Sequence, residues 1–335
     1  MTRGLFQYHP VFGFHFVPGL RARVPHEAGG YLVRANSAGF RSEREFTAEK
    51  RPGVFRVLLF GDSYTAGDGV NNAQRYGDLV ETLLSGIEVF NYGLPGTGTD
   101  QHYLVYREVA ASVEHDAIVV AVQVENIRRV VARYREFTDR GGERMILAKP
   151  YFTMMDGGAL QLHNVPVPRE PVSPALLGDE ARFVDRGGDL RLIRQVLNKM
   201  GPGVKSFVQM VMAPDPLPGY ARADHPDWRL MRAILEQWIV SSHVPVIIMP
   251  VPLYHHVEEL ARADRYQARF AELASLPRVT VHDPLSAFHA VPRDARRAFR
   301  FAHDVHPTPA AHRVLAQSLA GVLGRISESR PLPQT

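Results

Sequence analysis

The sequence predicts a three-layer α/β fold: a parallel sheet of about five strands with helices on both faces. Three observations predict it. Short β-branched and aromatic runs alternate with segments of helical spacing from Val54 onward, and strand, helix, strand in series builds crossovers rather than hairpins. The same alternation returns after an interruption, between Asp227 and the C-terminus. The chain has 335 residues, 45% of them apolar and 22% charged, enough to bury a full core and ordinary for a folded protein.

Taken in order, residues 1–50 carry Gly/Pro turns and scattered aromatics with no helical period. They are expected to form an N-terminal appendage laid on the main domain, with a small separate module as the alternative. "VFRVLLF", closed by Gly61, is the first strand. "AQRYGDLVETLL" follows as a helix despite Gly77. "IEVFNYG" is the second strand, "DQHYLVYREVAASV" a helix starting near Asp100, and "DAIVVAVQV" the third strand. Residues 128–215 interrupt the series as a long insertion, with "RRVVARYREF", the turn-rich "KPYFTMMDGGALQLHNVPVPREP", a helix candidate at "DLRLIRQVLNKM" and the proline-bearing "APDPLP". The pattern resumes with the helix "DWRLMRAILEQWIVSS", the strand "VPVIIMPVP", the helix "ADRYQARFAELASL" and a short edge strand "RVTVHD". The last helix is "TPAAHRVLAQSLAGVLGRI", with Pro309 in its first turn. The expected domain spans residues 51–330, with strands in a flavodoxin-like order.

Composition narrows the function classes. The 39 basic and 35 acidic side chains leave a formal charge of +4, without long single-sign blocks, so neither nucleic acid nor a membrane surface is expected as a partner. There is no cysteine, which removes thiolate catalysis, thiolate metal sites and disulfides. The opening apolar stretch is broken by His9, Pro10, His15 and Pro18, and no segment reaches about 18 apolar residues. A cytoplasmic protein is the simplest expectation.

Ligands of open parallel sheets bind beyond the carboxyl ends of the strands. Four clusters fall at such ends: "GDSYTAG" at 61–67, "NYGLPGTG" at 91–98, "VENIRR" at 124–129 and "HDVHPTPAAH" at 303–312. A serine hydroxyl attacks a carbonyl only when an imidazole accepts its proton, and that imidazole works best when a carboxylate fixes its tautomer. Ser63, His306 and Asp304 supply these types. The tetrahedral intermediate needs hydrogen-bond donors, which the N–H groups of Ser63 and Gly96 and the amide of Asn126 offer. Singly, each residue has a plainer reading: Ser63 as a helix cap, Gly96 as a turn glycine, Asn126 as a strand end, Asp304 as a local cap and His306 as a loop histidine. The set of five carries the catalytic reading.

This set resembles the SGNH hydrolases, also called the GDSL-type esterase and lipase superfamily. Gly61-Asp62-Ser63-Tyr64 matches the nucleophile block, Gly96 within "NYGLPG" the second block, and Asp304 with His306 the last. The resemblance covers residues 54–128 and 240–325. It implies Ser63 as nucleophile, Ser63, Gly96 and Asn126 as the oxyanion hole, and Asp304 and His306 as the rest of the triad. "N-x-x-G-F-R", here Asn36 to Arg41, with "GTGTDQ" and "KPYF", is similar to a bacterial branch of that superfamily.

Two positions depart from the family pattern. The third block reads Val124-Glu125-Asn126-Ile127 where G-x-N-D is usual, so Asn126 aligns with the usual asparagine or with the aspartate after it. In the second case Glu125 takes the oxyanion position and serves as a donor only when protonated. The last block has one residue between Asp304 and His306 where two are usual. Side chains two apart on an extended segment share a face but not a contact, so a turn is required; Asp283 is the reserve carboxylate. His303, Asp304, His306 and His312 also admit a zinc reading, which leaves Ser63 without a role. Asp62, Glu125, Arg128 and Arg129 are candidate substrate contacts, the arginines pairing with a carboxylate, phosphate or acidic sugar or, alternatively, with Glu125. "KPYFTMMDG" is a candidate cover for the pocket mouth or else ordinary packing. The resemblance implies cleavage of an acyl ester, acetyl included, of a carbohydrate or small metabolite, and the proposed chemistry calls for no cofactor or metal. An O-acyltransferase with the same triad and a non-catalytic binding protein are the alternatives.

Overall fold

The computed structural model describes residues 4–138, 144–186 and 217–329. The helix expected at 189–200 lies outside them. The N-terminal segment forms two antiparallel hairpins, β1 (Phe6–His9) with β2 (Gly13–Phe16) and β3 (Arg21–Val24) with β4 (Tyr31–Arg34). Its Phe12, Phe16, Tyr31, Val33 and Phe40 belong to the same apolar core as the main sheet.

The main sheet begins with β5 (Phe55–Phe60), β6 (Ile87–Asn91) and β7 (Ala117–Gln123). Between 128 and 186 the chain adds β8 (Tyr134–Thr138), β9 (Arg144–Ala148), β10 (Tyr151–Met154), β11 (Leu160–His163) and the short β12 (Val184–Asp185). β12, β8 and β9 form a small sheet of their own, and β10 pairs with β11. The main sheet is completed by β13 (Val246–Val251) and β14 (Val279–Val281). Its order is β14-β13-β7-β5-β6 with every pair parallel, the flavodoxin-like order in which ligands collect where the chain switches direction across the sheet. The α/β fold with a five-stranded parallel sheet is thus as the sequence predicts.

Neighbouring residues of β5 show why both faces must be covered. Phe60 packs against Tyr92 and Trp238, at ring-centroid separations of 5.1 Å each, the latter from the helix Pro226–Ser241. Leu59, pointing the other way, meets the helix Tyr76–Leu83 at Gly77, where an added Cβ would lie 2.8 Å from its Cδ2. Gly77 costs helix propensity, and the close approach of helix to sheet explains its place. The final helix, Pro309–Glu328, packs beside Tyr76–Leu83. The helix expected over 100–113 is regular only over Thr99–Val105; it widens into a π turn closed by Ala111 N–H donating to Tyr106 O at 2.8 Å. Among the described residues no helix is long and apolar enough to cross a membrane.

Candidate active site

β5 delivers Ser63 to the carboxyl rim of the sheet and several bonds fix it there. Asp62 caps the short turn Ser63–Ala66, accepting from Tyr64 N–H at 3.0 Å, and its other oxygen accepts from Arg129 Nη1 at 2.7 Å. Asn91, at the end of β6, donates to Thr65 O and accepts from Gly93 N–H, both at 2.9 Å, which ties the first cluster to the second. Arg41 is fully buried and donates to the carbonyls of Ala66, Gly67 and Val70 at 2.7–2.8 Å. Burial and the neighbouring Arg75 pull its pKa down to about 10, so it stays charged at neutral pH. The "N-x-x-G-F-R" stretch thereby gains a physical role: Asn36 Oδ1 holds Phe40 N–H at 3.0 Å, closing the turn that aims Arg41 beneath the nucleophile.

The opposing loop brings His306 to the serine. Ser63 Oγ lies 2.9 Å from His306 Nε2, and His306 Nδ1 lies 2.5 Å from Asp304 Oδ1. The one-residue spacing works because Asp304 Oδ1 also accepts the backbone N–H of His306 at 3.0 Å, an aspartate turn that folds the chain back. With Nδ1–H donating to the carboxylate, Nε2 is free to accept the serine proton. Burial acts to lower the His306 pKa, but the Asp304 hydrogen bond and the charges of Asp68 and Asp304 outweigh it and raise the pKa above the ordinary 6.5. For Asp304 burial acts upward, yet hydrogen bonds from His306 and His26 hold its carboxyl well below the usual range. Asp283 is occupied elsewhere, accepting from Tyr266, Gln267 and the N–H of Leu285.

His312 points away from the pocket and into the core, where its Nδ1 accepts from Tyr76 N–H at 3.2 Å and its ring stacks on Tyr76. Burial and nearby arginines lower its pKa to about 3. Among the described residues no group of three or more His, Asp or Glu is placed to hold a metal ion.

The dyad opens onto a cavity of about 760 Å³. Gly96, Gln123, Glu125, Arg129 and Arg135 line its sheet side, and residues of β1–β4, including Phe14 and Tyr31, line the other. Gly96 has φ +76°, and a Cβ there would meet Arg135 Cζ at 2.9 Å; Arg135 itself donates to Gly96 O. Among the described residues neither the Ser63 N–H nor the Gly96 N–H donates to a backbone carbonyl of the turns and loops.

The structure does not bring every expected contact together. Asn126 is fully buried, absent from the cavity lining, and its amide has no partner among the described residues. Glu125, which already has helical backbone at φ −69° and ψ −15°, is the residue of this block that lines the cavity. Asp62 is also buried, its oxygens taken by Tyr64 N–H and Arg129. Arg128 sits outside the cavity, 3.7 Å from Glu125. "KPYFTMMDG" does not cover the mouth: Phe152 is buried beside Tyr103, and Lys149 pairs with the buried Asp100 and donates to Arg129 O at 2.9 Å. That contact joins "GTGTDQ" and "KPYF" behind the site. His26, Glu27 and Asp68 also line the cavity, yet no local sequence signal singles them out.

Residues 59–314 match the GDSL-like Lipase/Acylhydrolase family. No curated protein matches the chain. Solved structures similar to it include a member of the lipolytic protein G-D-S-L family from Veillonella parvula, at 14% identity and TM-score 0.43, covering 81% of this chain and 100% of that one. Axe2, an acetylxylan esterase from Geobacillus stearothermophilus, is 14% identical with TM-score 0.43, covering 82% and 97%. A two-domain esterase active on acetylated mannans is 12% identical with TM-score 0.41, covering 84% of this chain and 53% of that one. With a family match over most of its length and a serine set against a histidine at the sheet rim, the chain belongs to the GDSL-like lipase/acylhydrolase family and has its serine-hydrolase chemistry.

Proposed function

We propose that the protein is an esterase that releases an acyl group from a carbohydrate or small-metabolite ester through an acyl-enzyme. The observation that carries this reading is the continuous chain Ser63 Oγ, His306, Asp304, with separations of 2.9 and 2.5 Å, at the floor of a cavity. His306 Nε2 takes the hydroxyl proton as Ser63 Oγ bonds to the ester carbonyl carbon. The carbonyl oxygen becomes an anion held by the N–H groups of Ser63 and Gly96. Collapse breaks the carbon–oxygen bond to the alcohol, which leaves with the proton from His306. Water then attacks the acyl-enzyme, giving its proton to His306, and the acid departs as that proton returns to Ser63. Asn126, which is absent from the cavity lining, is left out of this scheme.

A cavity of about 760 Å³ that combines the rings of Phe14, Tyr31 and Tyr254 with the carboxylates of Asp68 and Glu125 suits a polyhydroxylated alcohol: apolar sugar faces stack on rings, and hydroxyls donate to carboxylates. Hydrolysis of p-nitrophenyl acetate and of acetylated sugars by wild type and by Ser63→Ala tests the reading. Wild-type turnover that disappears in Ser63→Ala is expected, and equal turnover by both would overturn the nucleophile. Acyl transfer to an added sugar in excess of release to water would make the enzyme a transferase.

A further inference from the structure

We infer that His26, from the N-terminal hairpin segment, is a positioning residue for the triad: it donates to the outer oxygen of Asp304 and so aims the carboxylate at His306. The inference rests on the catalytic reading of Ser63, His306 and Asp304 above. His26 Nε2 lies 3.3 Å from Asp304 Oδ2, the oxygen that His306 does not use. The tautomer is set from the other side of the ring, because His26 Nδ1 accepts the backbone N–H of Ala28 at 3.3 Å. A proton therefore sits on Nε2, and the ring donates it to Asp304. The ring is held edge-on against Phe301 at 4.4 Å and Tyr31 at 5.9 Å, so the donor has little freedom to turn away.

The adjacent residue works on the backbone of the same loop. Glu27 accepts the N–H groups of His303 and Asp304, each at 2.9 Å. Side chain and main chain of Asp304 are thus both gripped by two consecutive residues that lie 277–278 positions earlier in the chain. Asp304 is one-third exposed, so without this grip its carboxylate would compete for water and rotate. A carboxylate bonded on one oxygen can swing about its last two torsions; one bonded on both cannot. Proximity contributes to rate only while the base stays aligned.

Two substitutions separate the hydrogen bond from the packing. His26→Phe keeps a ring against Phe301 and Tyr31 and deletes the donor, whereas His26→Gln keeps a donor and deletes the ring. Steady-state kinetics on p-nitrophenyl acetate, with thermal melts to verify folding, are expected to show kcat reduced roughly tenfold in His26→Phe, KM within about twofold of wild type, and at least a third of wild-type kcat in His26→Gln. This order cannot arise from a packing role. Wild-type kcat in His26→Phe, or a His26→Gln variant as slow as or slower than His26→Phe, would overturn the inference, and so would a change confined to KM. Ser63→Ala in the same series separates the two levels of argument: if it retains turnover the catalytic reading fails, and if it is inactive while His26→Phe is unimpaired only the positioning role fails.

Discussion

The two halves of the catalytic pair are held by different kinds of structure. Ser63 stands on buried scaffolding: β5 beneath it, Asp62 and Arg129 beside it, Asn91 and Arg41 behind it. His306 stands on a loop whose His303 and Val305 are exposed, held from outside by His26, Glu27 and the Tyr64 hydroxyl, which donates to Val305 O at 2.9 Å. The nucleophile is therefore placed mainly by buried groups around β5, and the base mainly by His26 and Glu27, which precede the sheet. Damage to the buried scaffolding around Ser63 should cost stability along with activity, while damage to the supports of His306 should cost activity alone.

The largest effect tests the shared reaction. Ser63→Ala is expected to lower kcat/KM by about 10⁴-fold or more with an unchanged melting profile. Asp304→Asn should follow, losing about 10³–10⁴-fold in kcat with little change in stability, because its side chain is one-third exposed. On the scaffold side, Arg129→Met leaves the Asp62 carboxylate buried without its cation, and removal of one partner from such a pair costs about 3–5 kcal/mol. Urea denaturation measures it; an unfolding free energy equal to wild type would break the contrast between the halves. Gly96→Ala, which forces a side chain into a left-handed conformation against Arg135, should reduce kcat about 10²-fold by displacing one of the proposed oxyanion donors.

The smallest effect is on pH dependence. His306 acts as a base only when neutral, so with its pKa raised above 6.5 the kcat/KM profile should fall on the acid side through a limb above that value. Asp68→Asn removes one of the charges that raise it and should move the limb to lower pH, leaving the plateau in place. A limb that moves to higher pH would contradict the electrostatic account.

How much of this was legible in the sequence follows the same division. The nucleophile turn is local: a buried strand, a glycine, a capping acid and a hydroxyl lie within a few residues, and their spacing determines where the serine emerges. The five-strand order was equally open, because each strand is a short apolar run followed by its own helix. The wall of the cavity was not, since His26 and Asp304 meet across 278 positions and "RVPHEAGG" has no periodicity that aims it anywhere. The third block was harder to read, because the backbone enters a helical turn at Glu125, one residue before the amide expected to face the pocket. "KPYF" carried a signal of packing rather than cover, because Lys149 is drawn inward by the buried Asp100.

The most direct test of the central claim, that Ser63 is the group activated by His306, is labelling with a serine-directed phosphonate followed by peptide mapping. A single adduct on Ser63 is predicted, absent in Ser63→Ala and formed much more slowly in His306→Ala. An adduct on another residue, or one that forms at the wild-type rate without His306, would contradict it.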